Sequence, residues 1–171
     1  MKTYQGHITS LKPSEIFVYG SNIQGFHGAG AAGYATFGVP GNVWRRFNYD
    51  EWPVGKQGKW NVKGVAEGLQ KGTEGTSYAI PTVTRPGAQR SIPLARIRLS
   101  VLRLYAVARQ RPDLEFLVAY SADGPNLNGY SAEEMAGAFA LKPLPPNIVF
   151  EEGFAKLIER TWYVATKELQ T

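Results

Sequence analysis

Cysteine is absent from this sequence of 171 residues, and only two histidines occur in it. The lack of cysteine excludes disulfide bonds, thiolate zinc sites and cysteine nucleophiles. No apolar run approaches the roughly 20 residues that a membrane-spanning helix needs, and the first residues lack the apolar stretch of a signal peptide. The two histidines and the scattered carboxylates show no metal-ligand spacing. We therefore expect a cytoplasmic protein with no membrane association, no metal and no bound cofactor.

The composition is that of an ordinary globular protein, with 43% hydrophobic and 19% charged residues. The length suits one domain over residues 1–171. The formal net charge is +5, and one segment carries several of the positive charges, on Arg96, Arg98, Arg103, Arg109 and Arg111. The solvated face of an amphipathic helix is the favoured interpretation of this segment. The alternative is attraction of phosphate-bearing ligands or nucleic acid.

Short β-rich runs alternate with helical patterns along the chain. The predicted strands are His7–Leu11, Ile16–Tyr19, Ser77–Val83, Phe116–Tyr120 and Asn147–Phe150, and the predicted helices lie at Tyr34–Phe37, between Pro93 and Pro112, at 131–139 and at 153–169. A capping box, Ser131 with Glu134, begins the third helix. This alternation predicts a three-layer α/β/α fold with a mainly parallel mixed sheet.

Residues 39–63 have no clean periodicity and carry three tryptophans among arginines and lysines. We interpret this stretch as an ordered insertion, because aromatic residues are uncommon in free linkers. Local packing of the tryptophans is the simpler explanation. Aromatic side chains between basic residues could also stack on a single nucleic-acid strand.

Small residues dominate the stretch from Gly20 to Gly33, which we interpret as a loop opening into a helix. Glycine and alanine let a backbone approach a ligand closely, and a helix beginning near Gly30 favours a phosphate. Gly28–Gly33 also matches the dinucleotide fingerprint GxGxxG, but eight residues separate it from Tyr19. Asp50 and Glu51 lie roughly at the distance expected for the carboxylate that binds the ribose, but no second strand leads into them. An NAD(P)-dependent oxidoreductase is therefore a less favoured alternative.

A second glycine-bearing loop, Ser121–Tyr130, follows a predicted strand and precedes the capped helix. Its amides can face a phosphate, and Tyr130 could stack on a ligand. In α/β sheets ligands bind beyond the carboxyl ends of the strands. The alternative is a surface loop that is polar because of Asn and Asp turn chemistry.

The order of these pieces resembles a macro domain, the ADP-ribose-binding module. The resemblance is carried by Gly6-His7-Ile8-Thr9, the strand ending Gly20-Ser21-Asn22, the Gly28–Gly33 loop, Ile80–Pro86 and Ser121–Tyr130. The run from Ile16 to Ala31, with G-S-N and H-G-x-G-A-A, is also similar to a divergent macro-like group of bacteria and phages. The chain departs from the macro-domain pattern at two positions. His7 replaces the aspartate that recognises adenine, and Ala32 stands where many hydrolytic members have an acidic residue.

The resemblance implies binding of ADP-ribose or a related nucleotide, with hydrolysis of an ADP-ribosyl linkage as a further expectation. Asn22 would contact the distal ribose, and His27 is the nearby candidate for proton transfer. The predicted ligand-binding residues are Gly20, Ser21, Asn22, Gly28, Ala29, Gly30, Ala31, Ser121, Asp123, Gly124, Asn128, Gly129 and Tyr130. A protein-linked ADP-ribose is an expected partner, and a nucleic-acid-associated protein using residues 44–63 and the arginine-rich helix is the alternative.

Overall fold

The computed structural model describes residues 1–27, 30–37, 64–71, 75–123 and 126–168. In these ranges the chain forms, in order, β1 (Lys2–Tyr4), β2 (Glu15–Asn22), α1 (Gly30–Phe37), β3 (Gly68–Lys71), β4 (Thr76–Val83), α2 (Leu94–Gln110), β5 (Glu115–Val118), α3 (Ala132–Phe139), β6 (Ile148–Glu151) and α4 (Glu152–Glu168). None of these helices has both the length and the apolar character that crossing a bilayer requires. The predicted insertion at 39–63 lies outside the described residues.

The described strands form one mixed sheet in the order β1-β6-β5-β2-β4-β3. Every neighbouring pair from β1 to β4 is parallel, and β3 alone among the described strands runs antiparallel, on the edge beside β4. Long crossovers through helices are what parallel neighbours require. The α/β class with a mainly parallel mixed sheet is therefore confirmed.

Side chains of β2 alternate between two cores, because successive residues of a strand point to opposite faces. Ile16 and Val18 belong to the larger core, which α2, α3 and α4 cover. Phe17 and Tyr19 belong to the smaller core, which includes Ala32 and Ala35 of α1 and Ile8. Helices thus pack on both faces of the sheet, as the alternating pattern predicts.

The longest predicted helix is confirmed as α2. Pro93 occupies its N-cap position in an extended conformation, and its carbonyl accepts bonds from the amides of Arg96 and Ile97. As expected of an amphipathic helix, the apolar stripe of α2 faces the larger core, where Ile97, Val101, Leu104, Tyr105 and Ala108 are fully buried. The capping box of α3 is confirmed too, since the Ser131 hydroxyl and the Glu134 carboxylate each accept a bond from the other residue's amide.

Two edge elements differ from the prediction. The first strand is Lys2–Tyr4, and the predicted strand His7–Leu11 is wrong. Gly6 has a positive φ of 70°, which turns the chain out of the sheet before His7, and Ile8 packs into the smaller core without strand pairing. Strand β3 was not predicted, because its sequence Gly-Leu-Gln-Lys has too little apolar alternation for a strand of a sheet's interior.

A further difference lies at the end of β2. The strand continues three residues beyond the predicted Tyr19, so Gly20, Ser21 and Asn22 belong to β2 rather than to the loop after it. Gly20 and Ser21 pair with Ile80 and Pro81 of β4. Small and polar residues there have low strand propensity, and pairing with β4, which continues to Val83, overrides that propensity.

Next to Tyr19 of the smaller core lies a cluster of buried polar side chains. Gln70 donates to the hydroxyls of Tyr19 and Ser77, and its carbonyl oxygen accepts the amide of Val65 at 2.7 Å. The ring nitrogens of His27 lie 3.4 Å from the Tyr19 hydroxyl, and the two rings meet edge to face. His27 is fully buried. Burial lowers its pKa below the usual value of 6.5, which outweighs the opposite effect of a hydrogen bond to the Val65 backbone.

This burial predicts a loss of stability in acid. The unfolded chain binds a proton at His27 near pH 6.5, whereas the folded chain binds it only at lower pH. The stability that the folded chain gains from keeping His27 uncharged is fully present above about pH 6.5. It is lost as the pH falls from there toward the pKa of His27 in the folded chain. Urea unfolding at pH 7.5 and pH 5.5 measures the difference. His27→Gln should reduce the decrease, and His7→Gln, at an exposed position, should not; equal decreases in both variants would contradict this explanation.

Candidate functional site

The two glycine-bearing loops meet at the centre of the sheet. Strands β2 and β5 are parallel neighbours, and the chain leaves β2 toward the β3 edge and β5 toward β6. Ligands of open α/β sheets bind in the crevice beyond the carboxyl ends of strands whose connections diverge in this way. The loops touch there, because a Cβ atom on Gly30 would collide with the side chain of Leu127.

An apolar cavity of about 510 Å³ lies on one side of this contact. Most of its lining is aromatic or aliphatic, and the hydroxyl of Ser121 and the exposed ring of His7 add polar atoms. The lining residues are Tyr4, Gly6, His7, Ile8, Phe17, Gly30, Ala31, Ala119, Tyr120 and Ser121. Three predicted ligand-binding residues, Gly30, Ala31 and Ser121, are therefore together in this cavity. Its character suits a flat, weakly polar group.

A smaller cavity of about 270 Å³ lies on the other side and is richer in hydrogen-bonding groups. Its polar side chains are hydroxyls and amides, without a charged residue in the described lining. The lining residues are Gly20, Ser21, Asn22, Phe26, Ala32, Thr82, Val83, Pro86, Gly87, Gln89, Leu127 and Asn128. The predicted residues Gly20, Ser21, Asn22 and Asn128 meet here. Uncharged donors and acceptors of this kind suit sugar hydroxyls.

The start of α1 forms the wall between the two cavities. Gly30 and Ala31 line the apolar cavity, whereas the next residue, Ala32, lines the polar cavity. Leu127 reaches across from the second loop to Gly30. The first turn of α1 carries no acidic side chain. A helix N-terminus carries partial positive charge, so this wall is the part of the crevice that favours an anion.

Tyr120 lies between the two cavities. It lines the apolar cavity, its ring packs on Phe154 with centroids 5.8 Å apart, and its hydroxyl lies close to Gly20 and Thr82, which line the polar cavity. Burial raises the pKa of Tyr120 to about 12, which outweighs the opposite effect of hydrogen bonds with Thr82 and Asn128. The hydroxyl is therefore neutral at physiological pH and can donate a hydrogen bond.

The Asn22 side chain shapes the first loop. Its amide nitrogen donates to the Phe26 carbonyl at 2.6 Å, and its oxygen accepts the Phe26 amide at 3.1 Å. Asn22 also lines the polar cavity, so it lies where a sugar-contacting residue was predicted. Removing its side chain would alter the loop as well as any ligand contact, which makes Asn22→Ala an ambiguous test of binding.

His27 does not reach either cavity. Its ring is enclosed in the polar cluster with Tyr19 and Gln70, and a Cβ atom on Gly64 would collide with it. A general base must come within hydrogen-bond reach of the water that it activates. The structure thus gives His27 a packing position and does not bring it to the predicted place for proton transfer.

Most of the second loop serves its own packing. The Tyr130 hydroxyl donates to the Ile92 carbonyl at 2.8 Å, and the Arg90 guanidinium covers its ring at 4.7 Å from the centroid. Gly129 has a φ of +82°, and a Cβ atom on it would lie 2.8 Å from the Cβ atom of Gln89. Neither residue lines either of the two cavities described above, and Asp123 is exposed outside both of them. A stacking role for Tyr130 on a ligand therefore has no geometric support.

The α3 entrance also differs from the expectation that its amides face a phosphate. The amides of Ser131 and Glu134 bind the capping-box side chains, and the Glu134 carboxylate forms a two-point ion pair with Arg90 at 2.7 and 3.0 Å. These contacts lower the pKa of Glu134, with its bond from the Ser131 backbone as the largest cause. A negative charge already occupies this helix end, which leaves α1 as the anion-favouring entrance.

Three predicted ligand-binding residues, Gly28, Ala29 and Gly124, lie outside the described residues, as do residues 44–63. Within the described ranges no group of three or more histidine or acidic side chains is placed to hold a metal ion. Sequence reasoning missed several lining residues, namely Tyr4, Phe17, Thr82, Gln89 and Tyr120. Thr82 and Gln89 come at or just after the end of β4, and applying the carboxyl-end rule to that strand would have found them.

The close contact beneath Gly20 gives a test of this geometry. A Cβ atom on Gly20 would lie 2.5 Å from the Tyr120 hydroxyl and 3.2 Å from that of Thr82. Gly20→Ala should therefore destabilise the fold by about 1–3 kcal/mol, the usual cost of overpacking. Gly137→Ala is the matched control, because a Cβ atom at this position of α3 would meet nothing within 4 Å. This substitution should stabilise the fold by about 0.5–1 kcal/mol. Urea unfolding measures the stability of both variants. If Gly20→Ala left the free energy of unfolding unchanged, the Tyr120 hydroxyl could not lie against Gly20.

Comparisons with known proteins leave the site to be interpreted from its own geometry. The chain matches no protein-family model, no curated protein and no solved structure. The two cavities, the wall between them and the sequence motifs are therefore the features that bear on function.

Proposed function

We propose that the protein binds ADP-ribose or a closely related nucleotide sugar across the two cavities. The observation that carries this proposal is the pairing of unlike cavities, one apolar and one rich in hydroxyls and amides, on either side of the α1 start. A ligand with a base at one end, a sugar at the other and an anionic linker between them has the same order of chemistry. The macro-domain resemblance implies that order too, with His7 near the base and Asn22 near the distal ribose.

The adenosine end would occupy the apolar cavity. Phe17, Tyr120 and the half-buried Tyr4 provide aromatic surface there. Burying the faces of a purine against such side chains is favourable at roughly 25 cal/mol per Å² of apolar area removed from water. His7 lies at the mouth of this cavity, where the macro-domain pattern has an acidic residue. Its ring can donate or accept a hydrogen bond, so the edge of the base would be recognised differently than in macro domains.

The linker would cross the wall at Gly30 and Ala31. Neither lysine nor arginine lines either cavity within the described residues, so a diphosphate would be bound by main-chain amides and by the helix dipole. Small side chains permit the close approach that such binding needs. An effect of this kind contributes about 0.3–1 kcal/mol per helix end at an exposed site, so most of the affinity would come from the two ends of the ligand.

The distal sugar would occupy the polar cavity, where hydroxyls and amides surround it. The described lining there contains no side chain that titrates near neutral pH, and His27 is enclosed elsewhere. The proposal is accordingly binding of the nucleotide sugar, as a reader or sequestering module. Among the described residues, no acid–base side chain lines the polar cavity where it could support hydrolysis of an ADP-ribosyl linkage.

Calorimetry with ADP-ribose, ADP and AMP tests the two-ended arrangement. Two added hydrogen bonds at the sugar end, each worth about 0.5–1.5 kcal/mol, should make ADP-ribose bind about tenfold tighter than ADP. Gln89→Ala, at an exposed position on the polar cavity, should remove most of that advantage and leave ADP binding unchanged. His7→Ala, on the apolar cavity, should weaken both ligands.

Gln110→Ala is the matched control. Gln110 is an exposed glutamine at the end of α2 that leads into the start of β5, at the opposite end of the sheet from the cavities. Its replacement should change neither affinity. Failure of all three nucleotides to bind at about 1 mM, or an equal effect of Gln89→Ala on ADP and ADP-ribose, would refute the proposal.

A further inference from the structure

An apolar seam runs along the outer face of α2. Ala95, Leu99, Leu102 and Ala106 are spaced by four, three and four residues, which places them in one row on the helix. All four are exposed, and Leu99 and Leu102 retain 52% and 45% of their accessible surface. The opposite face of the same helix already provides the buried stripe. The helix is therefore apolar on two sides, and the larger core uses only one of them.

Arginines border this seam on both sides. At about 100° per residue, Arg96 and Arg103 fall on one flank, and Arg98 and Arg109 fall on the other. The sequence of α2 contains no aspartate or glutamate. Arg103 binds the Glu67 carboxylate at 3.0 Å, which shows that a carboxylate can reach this flank. Arg96 and Arg98 are exposed, and Arg109 donates to the Pro143 carbonyl.

We propose that this seam is a docking surface for an amphipathic helix of a partner protein, one whose apolar row is bordered by aspartate or glutamate. Leucines between arginine rows are complementary to leucines between carboxylates, in the way that flanking charges select partners in helix pairs. The seam extends over 11 residue steps from Ala95 to Ala106. At 1.5 Å per residue it is about 16 Å long, which matches a partner helix of three to four turns.

Charge favours this occupant over a second copy of the chain. Two α2 helices that paired along their seams would place arginine rows against arginine rows, and like charges across an interface oppose association. The leucines at the centre of the seam favour an acidic helix over nucleic acid. If nucleic acid bound there, Leu99 and Leu102 would face charged phosphates and remain hydrated. An acidic amphipathic helix satisfies the arginines and covers the leucines together.

A labelled synthetic helix of 18 residues, with leucine in the heptad core positions and glutamate on the flanks, is a suitable probe. Fluorescence anisotropy measures its binding to the whole protein, and a second peptide with lysine at every glutamate position is the charge control. We expect the glutamate peptide to bind at least about tenfold tighter than the lysine peptide. The Leu99→Gln/Leu102→Gln double variant should lose about tenfold in affinity for it. Arg96→Glu/Arg98→Glu should reverse the preference between the peptides.

Tyr163→Gln/Val164→Gln is the matched control for lost apolar surface. These two residues are exposed on α4, at 62% and 50%, and lie on a different helix. Their replacement should leave the affinity of the glutamate peptide unchanged, and thermal unfolding checks that all variants remain folded. Equal binding of the two peptides, or equal losses in the α2 and α4 variants, would overturn the proposal.

Two further measurements distinguish the other occupants. Sedimentation that shows a dimer, dissociated by Leu99→Gln/Leu102→Gln, would assign the seam to a second copy. Binding of a single-stranded oligonucleotide of 12 nucleotides is the second measurement. If Arg96→Glu/Arg98→Glu abolished this binding and Leu99→Gln/Leu102→Gln left it intact, the face would be assigned to nucleic acid. Either result would overturn the proposed acidic helix.

Discussion

The parallel pairing of β2 with β5 is the constraint on which the candidate site depends. Because the two strands are adjacent and their connections diverge, both loops are brought to one edge of the sheet without a sequence motif that joins them. The contact of Leu127 with Gly30 follows from that pairing, and it divides the crevice into two compartments. A shift of register in β2 by one residue would exchange its two faces. Tyr19 would then leave the smaller core, and the lining of both cavities would change.

Neutral groups dominate the interior around this crevice. The Tyr120 hydroxyl is kept protonated by burial, and its partners Thr82 and Asn128 are uncharged. Next to Tyr19, Gln70 bonds to neighbouring hydroxyls and a backbone amide, and burial favours the uncharged form of His27. Buried polar groups that are hydrogen-bonded to each other avoid the cost of burying a charge. They also hold the cavity walls in one arrangement, because losing one partner would leave another unsatisfied.

The class of the fold could be predicted from the sequence because its strongest signals are local. The stripe of α2 and the capping box at Ser131 each depend on neighbouring residues, and both are confirmed. The edge strands could not be predicted in this way. β1 is only three residues long, and β3 has one buried residue, Gln70, so pairing with a neighbour rather than propensity makes them strands.

The site shows the same division between local and long-range information. Glycine density directs attention to the loops after β2 and β5, and glycine has different structural roles in the two loops. Both Gly30 and Gly129 have a positive φ, of 56° and 82°. Gly30 touches Leu127 of the other loop and lines the apolar cavity, whereas Gly129 packs against Gln89 outside both cavities. Composition alone cannot separate these roles, since both need a residue without a side chain. Tyr130 and His27 carry suitable chemistry in suitable segments, but the orientation of a side chain depends on what packs around it. Ligand contacts must therefore be assigned from the cavities, and the aromatic and amide residues that line them come from four strands and their loops.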